Sequence, residues 1–139
     1  RSKYCSEDNL LLVGDAFAFL DPVFSSGVFL ALYSGVLAGE SVVEAFRKND
    51  TRAASFTEYG EKFCNGIEAM RALVYAFYDQ DFSFGKFIKK YPHLHSDLTD
   101  CLIGNLYRDF DELFKAMRDF ADLPEPLSHG KPKTETAAS

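Results

Sequence analysis

Phe56, Tyr59, Phe63, Ile67, Met70, Val74 and Phe77 recur at steps of three and four residues. No strand can keep such a period on one face, so the chain must be built around a long amphipathic helix, predicted over 51–78. Glu58, Glu61, Lys62, Glu68 and Arg71 occupy its other side. A second helix is predicted over 27–47, with Ser25 or Ser26 as N-cap. Its first three turns are apolar almost all round, whereas Glu40, Glu44, Arg47 and Lys48 come later, so its start should be buried and its end solvated. Gly27, Ala31, Ser34, Gly35 and Ala38 form a stripe of small residues along it, against which something should pack closely. Shorter helices are expected over 84–90, 97–107 and 110–123. One segment, Asn9 to Val13, reads as a strand, ended by Gly14-Asp15. The predicted fold is mainly α, with one N-terminal strand followed by about five helices. A lone strand makes no sheet, so its partners are expected outside this chain.

The 139 residues amount to about one domain, and 47% hydrophobic content suffices for a core. A net charge of −6 and the lack of any basic cluster beyond Lys89-Lys90 argue against a nucleic-acid partner. Cys5, Cys64 and Cys101 are odd in number and contain no C-x-x-C, which implies neither a disulfide framework nor a zinc site and suits a reducing cytoplasm. The long apolar run from Ala16 to Gly39 is broken by Asp21, Pro22 and Ser25-Ser26-Gly27, so no membrane helix is expected, and no signal peptide is evident. A first residue that is Arg, followed so soon by a strand, suggests a piece of a longer protein. From Pro124 onward, prolines, glycine and small polar residues predict a disordered tail over 124–139.

The stretch "VGDAFAFLDPVFSSGVF" carries polar groups that a plain core segment does not need. An aspartate at the C-terminal end of a buried strand is where α/β folds hold a ligand's hydroxyls; a turn acid bonding nearby backbone is the structural alternative for Asp15. A proline turn followed by Ser-Ser-Gly aims the free N–H groups of a helix start at whatever lies ahead, which favours anionic or electron-rich atoms. Gly27, lacking a side chain, would let a flat ring approach the backbone.

With these residues in place, "VGDAFAFLDPVFSSGVFLAL" resembles the second flavin-binding signature of FAD-dependent monooxygenases of the para-hydroxybenzoate hydroxylase type. The "DPVFSSG" version resembles the branch of flavin-dependent halogenases. "FYDQDFSFGKFIKKYP" and "LTDCLIGNLY" are similar to the helical C-terminal region of that branch. The resemblance implies FAD as cofactor. Gly14 and Asp15 would form the strand-end turn, with Asp15 accepting from a ribityl hydroxyl. Pro22 and Ser25 would shape the loop beside the isoalloxazine ring, and the N–H groups around Ser26, Gly27 and Val28 would face its pyrimidine end. It also associates Ser26-Gly27 with chloride, and implies a small organic substrate. Residues 1–48 would close an FAD-binding α/β domain otherwise absent, with the strand at its edge, and 49–123 would be a helical region over substrate. Halogenases of this type often have histidine where this chain has Phe29. Their G-x-G-x-x-G motif, tryptophan-containing motif and lysine belong upstream, so the catalytic residues are unknown from this chain, which alone should be inactive.

Other readings compete. A geranylgeranyl-reductase-like flavin enzyme would share the flavin signature, and a stand-alone helical interaction module would share the acidic amphipathic helices. His93 and His95 could offer two metal ligands, but no third is spaced to join them, so no metal is expected. Asp79 and Asp81 in "YDQDFSF" read as a capped connection between helices, and Phe82, Phe84, Phe87 and Tyr91 as core that could also border a substrate pocket. An isolated chain of this kind is expected to associate with another copy through its unpartnered stripe and strand edge.

Overall fold

The computed structural model describes residues 5–106 and 109–127. Five α-helices are present among them: α1 (Gly27–Arg47), α2 (Thr57–Tyr78), α3 (Phe84–Lys90), α4 (His95–Leu102) and α5 (Asp111–Met117). The strand is smaller than expected and finds its partner locally. Two short strands, β1 (Ser6–Glu7) and β2 (Leu10–Leu11), pair antiparallel with Ser6 opposite Leu11. Asn9 takes the left-handed conformation at φ 61° to close the turn, which asparagine tolerates. The hairpin is anchored by its turn: Asn9 N–H donates to the Thr51 carbonyl at 2.9 Å, and Ala53 N–H donates to Asp8 Oδ1 at 2.7 Å.

The chain divides into two compact units, one drawn from Arg1–Phe19 and Gly27–Cys64, the other from Leu20–Ser26 and Asn65–Pro126. In the first, α1 covers its predicted range. It stops where Asn49 adopts φ 50° and the N–H groups of Asp50 and Asn49 turn back to the carbonyls of Ala45 and Phe46. These bonds satisfy carbonyls that a helix end leaves open. Leu30, Ser34, Leu37, Ala38 and Ala45 are its buried residues. Contrary to expectation, its apolar start is not enclosed: Val28, Leu32 and Val36 are 72%, 69% and 58% exposed, joined further along by Val43 and Phe46. At 100° per residue these five lie within an arc of about 80°, opposite the buried set. The interruptions that argued against a membrane helix extend no further than Gly27, the first residue of α1. The helix itself is long and apolar enough to cross a membrane, with a window of mean hydropathy 1.4, 28% of it buried. Its buried Ser34, hydrogen-bonded within the unit, commits one face to protein packing.

The long second helix begins six residues later than predicted. Asp50 accepts from both the guanidinium and the backbone N–H of Arg52, which holds its carboxyl well below the usual range, and a 3-10 turn, Ala53–Phe56, intervenes. From Thr57 the apolar period takes over, with Tyr59 and Phe63 buried in the first unit and Phe63 against Phe17 at 5.3 Å between ring centroids.

In the second unit, Ile67, Met70, Leu73 and Val74 of α2 are buried, as are Phe87, Leu94, Leu98, Leu113 and Met117. Phe87 meets the rings of Phe82, Tyr91 and Phe120 at 6.0, 5.5 and 5.9 Å, so the aromatic run is core. α3 spans its predicted residues behind Ser83, whose hydroxyl accepts from Lys86 N–H at 3.5 Å. α4 ends short of its prediction because Gly104, at φ 87°, terminates it, and Asn105 N–H returns to the Asp100 carbonyl at 2.8 Å. Tyr107, the predicted end, lies outside the described residues. α5 is also shorter than 110–123: after Met117 the chain tightens, Arg118 donates to the Leu123 carbonyl, and Pro124 disfavours helix at the residue before it. The start of the expected tail is pinned, since Arg71 donates to the Glu125 carbonyl at 2.6 Å. Residues 128–139 lie outside the described residues.

Candidate functional site

In the first unit the strand-end turn is built on a close approach. Gly14, at φ 50°, opens a 3-10 turn over Gly14–Ala16, and its buried N–H donates to Ser34 Oγ at 2.8 Å. Ser34 in turn donates to the Ala31 carbonyl at 3.0 Å. A Cβ added at Gly14 would stand 3.0 Å from the Ala31 Cβ, so both the conformation and the space demand glycine. The element expected against the small-residue stripe is therefore this turn, resting on Ala31 and Ser34. Ala31 follows Gly27 by four residues, one helical turn, so the turn sits about 6 Å along the axis from the first residue of α1.

Asp15 is exposed, and no side-chain hydrogen bond or ion pair to its carboxylate is formed among the described residues. It does not act as the turn acid of the structural alternative. Gly27 and Val28 begin α1, where the geometry of the helix leaves their N–H groups without internal partners. A Cβ at Gly27 would meet nothing within 4 Å, so the space beside it is open.

The remaining candidates belong to the second unit. Pro22 starts a 3-10 turn, Pro22–Phe24, closed by a hydrogen bond from Ser25 N–H to the Pro22 carbonyl at 3.0 Å. Ser25 then takes φ 53°, a conformation uncommon for a residue with a side chain. Tyr78 donates to Asp21 Oδ1 at 3.0 Å, which raises the Tyr78 hydroxyl above its ordinary value, and Phe24 packs edge-on against Phe77 at 5.6 Å. Ser26 is 8% exposed, yet its hydroxyl has no partner. The expected cap from Ser26 is not made. A buried hydroxyl left open costs about 1–3 kcal/mol unless something satisfies it. Among the described residues, Ser6 Oγ is the other buried hydroxyl in that state.

A cleft of about 680 Å³ lies elsewhere in the first unit, lined by Leu10, Val13, Ala38, Val42, Phe46 and Phe56 among others. None of the candidate residues lines it, and its walls carry no ionisable group, so we attach no chemistry to it.

Asp79 and Asp81 make a connection. Asp79 accepts from the N–H groups of Asp122 at 3.0 Å and Asp81 at 2.9 Å, which lower its pKa. His93 faces Glu112 at 3.3 Å, and no group of three or more potential metal ligands gathers among the described residues. Sequence reasoning missed one juxtaposition: the Gly14 N–H meets the Ser34 hydroxyl, 20 positions away. No local spacing could have shown it.

Comparison with known proteins places the chain. The tryptophan halogenase family matches residues 1–117. A 1H-pyrrole-2-carbonyl-[peptidyl-carrier protein] chlorinase of Pseudomonas fluorescens is 36% identical over 127 residues, covering 88% of this chain and 28% of the relative. A tryptophan 2-halogenase of Chondromyces crocatus is 38% identical over 79 residues, 56% of this chain and 15% of the relative. A digeranylgeranylglycerophospholipid reductase of Methanospirillum hungatei is 41% identical over 54 residues, 39% of this chain and 13% of the relative. The chain spans less than a third of the length of these relatives. The class of protein that it resembles is that of the halogenases. Within that class, the chain belongs to the tryptophan halogenase family.

Proposed function

We propose that this chain is the C-terminal part of an FAD-dependent oxidoreductase of the halogenase and monooxygenase kind, and that it supplies one wall of the flavin site. The observation that carries the reading is Asp15. It is an exposed carboxylate with no side-chain partner among the described residues, held by a glycine turn that is locked onto α1 one helical turn from its free N–H groups. FAD supplies the electrons and the activation of oxygen when bound. In this reading Asp15 accepts a hydrogen bond from a ribityl hydroxyl, and Gly14 fixes the turn that presents it. The N–H groups of Gly27 and Val28 donate to an electron-rich edge of the cofactor or to chloride. The helix dipole favours negative charge there by about 0.3–1 kcal/mol. Pro22, Ser25 and Ser26 are read as the loop of the flavin signature, and the Ser26 hydroxyl is buried without a hydrogen-bond partner among the described residues.

The helices of residues 49–123 are read as a cap over a small organic substrate, residues 1–48 as the end of the FAD-binding domain, and the setting as cytoplasmic. The 139-residue chain by itself should be inactive, because the ADP-binding motif and the catalytic lysine of such enzymes are expected upstream. The exposed stripe of α1 supports self-association when the chain is isolated.

The test is an FAD titration of the complete gene product by flavin fluorescence, with Asp15→Ala and Ser26→Ala beside the wild type. Weaker binding in both, with unchanged circular dichroism, is expected; equal affinity in all three would remove the site. Turnover with reduced flavin, oxygen and chloride should yield a halogenated product. Saturation of an isoprenoid double bond would instead favour the reductase chemistry named for the archaeal relative.

A further inference from the structure

The short segment Leu20–Ser26 belongs to the second unit, and two contacts with the end of α2 hold it there. Tyr78, 57 positions further on, donates its hydroxyl to Asp21 Oδ1 at 3.0 Å. Phe77 meets Phe24 edge-on at 5.6 Å. The two contacts bracket the Pro22–Phe24 turn at either side. The bond from Ser25 N–H to the Pro22 carbonyl closes that turn but is local, so it does not fix where the turn lies on the unit. Ser25 then takes φ 53°, a conformation that persists only where the surroundings over-determine it. The end of α2 is itself held. The Phe77 and Tyr78 rings stand edge-on at 5.6 Å, Asp79 N–H returns to the Tyr75 carbonyl at 3.1 Å, and the Asp79 carboxylate accepts from Asp122 N–H. Tyr78 is exposed, so its bond to Asp21 satisfies no buried group, and its effect falls on the orientation of the loop.

We propose that Tyr78 is a positioning residue for the flavin loop: acting through Asp21, with Phe77 against Phe24, it holds Pro22, Ser25 and Ser26 in the shape that receives the cofactor. The inference rests on the reading of that loop as part of the flavin site. A loop that is loosened spends less time in the receptive shape, and the apparent affinity falls by the fraction lost. Since α2 is also part of the region read as the substrate cap, one helix serves both.

The test applies hydrogen–deuterium exchange with peptide mapping, and FAD titration by flavin fluorescence, to the complete protein. Tyr78→Phe, Asp21→Ala and Asp21→Asn are compared with the wild type, and Asp15→Ala serves as the control for the flavin site itself. Tyr78→Phe and Asp21→Ala should speed exchange over residues 23–26 by about two- to tenfold, the worth of one hydrogen bond, with no change over the helices of the second unit. FAD binding should weaken by no more than the same factor. Asp21→Asn keeps the accepting oxygen and should match the wild type. Unchanged exchange over 23–26 in Tyr78→Phe would overturn the proposal, as would acceleration spread through α3 to α5 or an Asp21→Asn variant as fast as Asp21→Ala. So would faster exchange in Tyr78→Phe with undiminished FAD affinity while Asp15→Ala binds more weakly, because the anchor would then serve the fold alone. Undiminished affinity in Asp15→Ala is the separate failure of the flavin reading, and it is recognised without reference to Tyr78.

Discussion

Gly14 donates its backbone N–H to the hydroxyl of Ser34, and Ser34 passes a hydrogen bond on to the carbonyl of Ala31. The strand-end turn is thus fastened to α1 through one buried side chain. Gly14→Ala would place a side chain at φ 50° and 3.0 Å from the Ala31 Cβ, and is expected to cost about 1–3 kcal/mol. Ser34→Ala leaves the Gly14 N–H buried without an acceptor, again at about 1–3 kcal/mol. Urea unfolding of each variant measures both.

Asp15→Ala should behave differently, because the carboxylate is exposed and has no side-chain bond among the described residues. Stability should stay within about 0.5 kcal/mol of the wild type. Flavin affinity of the complete protein should fall by about 1.5–3 kcal/mol, roughly 10- to 150-fold. Calorimetry with FAD separates the two quantities.

Arg71 is 8% exposed, donates through Nε and Nη2 to Glu68 at 2.9 and 2.7 Å, and reaches the Glu125 carbonyl. Arg71→Ala would remove both contacts of a buried guanidinium and is expected to cost about 3 kcal/mol. The double change Arg71→Met with Glu68→Leu should recover much of that loss, since it replaces a nearly buried ion pair by apolar side chains. Chemical denaturation of the pair of variants tests the difference.

Asp79 provides the acid response. Hydrogen bonds from the N–H groups of Asp122 and then Asp81 hold its folded-state pKa below the ordinary value of 3.8. A depressed carboxylate stabilises the fold in full above 3.8, and that contribution is lost as pH falls through the lower folded value. The stability gap between wild type and Asp79→Asn should therefore be constant near neutrality and close below pH 3.8. Carboxyl NMR of Asp79 should show a midpoint under the same value.

The helices were legible in the sequence wherever one signal dominated. The three- and four-residue steps from Phe56 to Phe77 gave α2, and Gly27 to Arg47 gave α1 at its true ends. The late start of α2 was hidden because the Asp50–Arg52 pairing competes with helix for the same backbone N–H, and propensity does not register that contest. The end of α4 was readable in principle from Gly104, a residue suited to the left-handed cap. The Gly14-Asp15 turn and the Ser25-Ser26-Gly27 loop were visible as interruptions of an apolar run. That Gly14 rests on Ala31 is a long-range fact that no local pattern encodes.

The row of Val28, Leu32, Val36, Val43 and Phe46 on α1 leaves water in contact with apolar surface. Near room temperature the drive to cover such surface is entropic, so it strengthens on warming. An isolated 139-residue chain should therefore gather into larger species as it is brought from ice to room temperature and disperse again on cooling. Ion-pair association would show no such thermal sense and would instead fade with added salt. Light scattering on one sample cycled in temperature reads which force the row exerts.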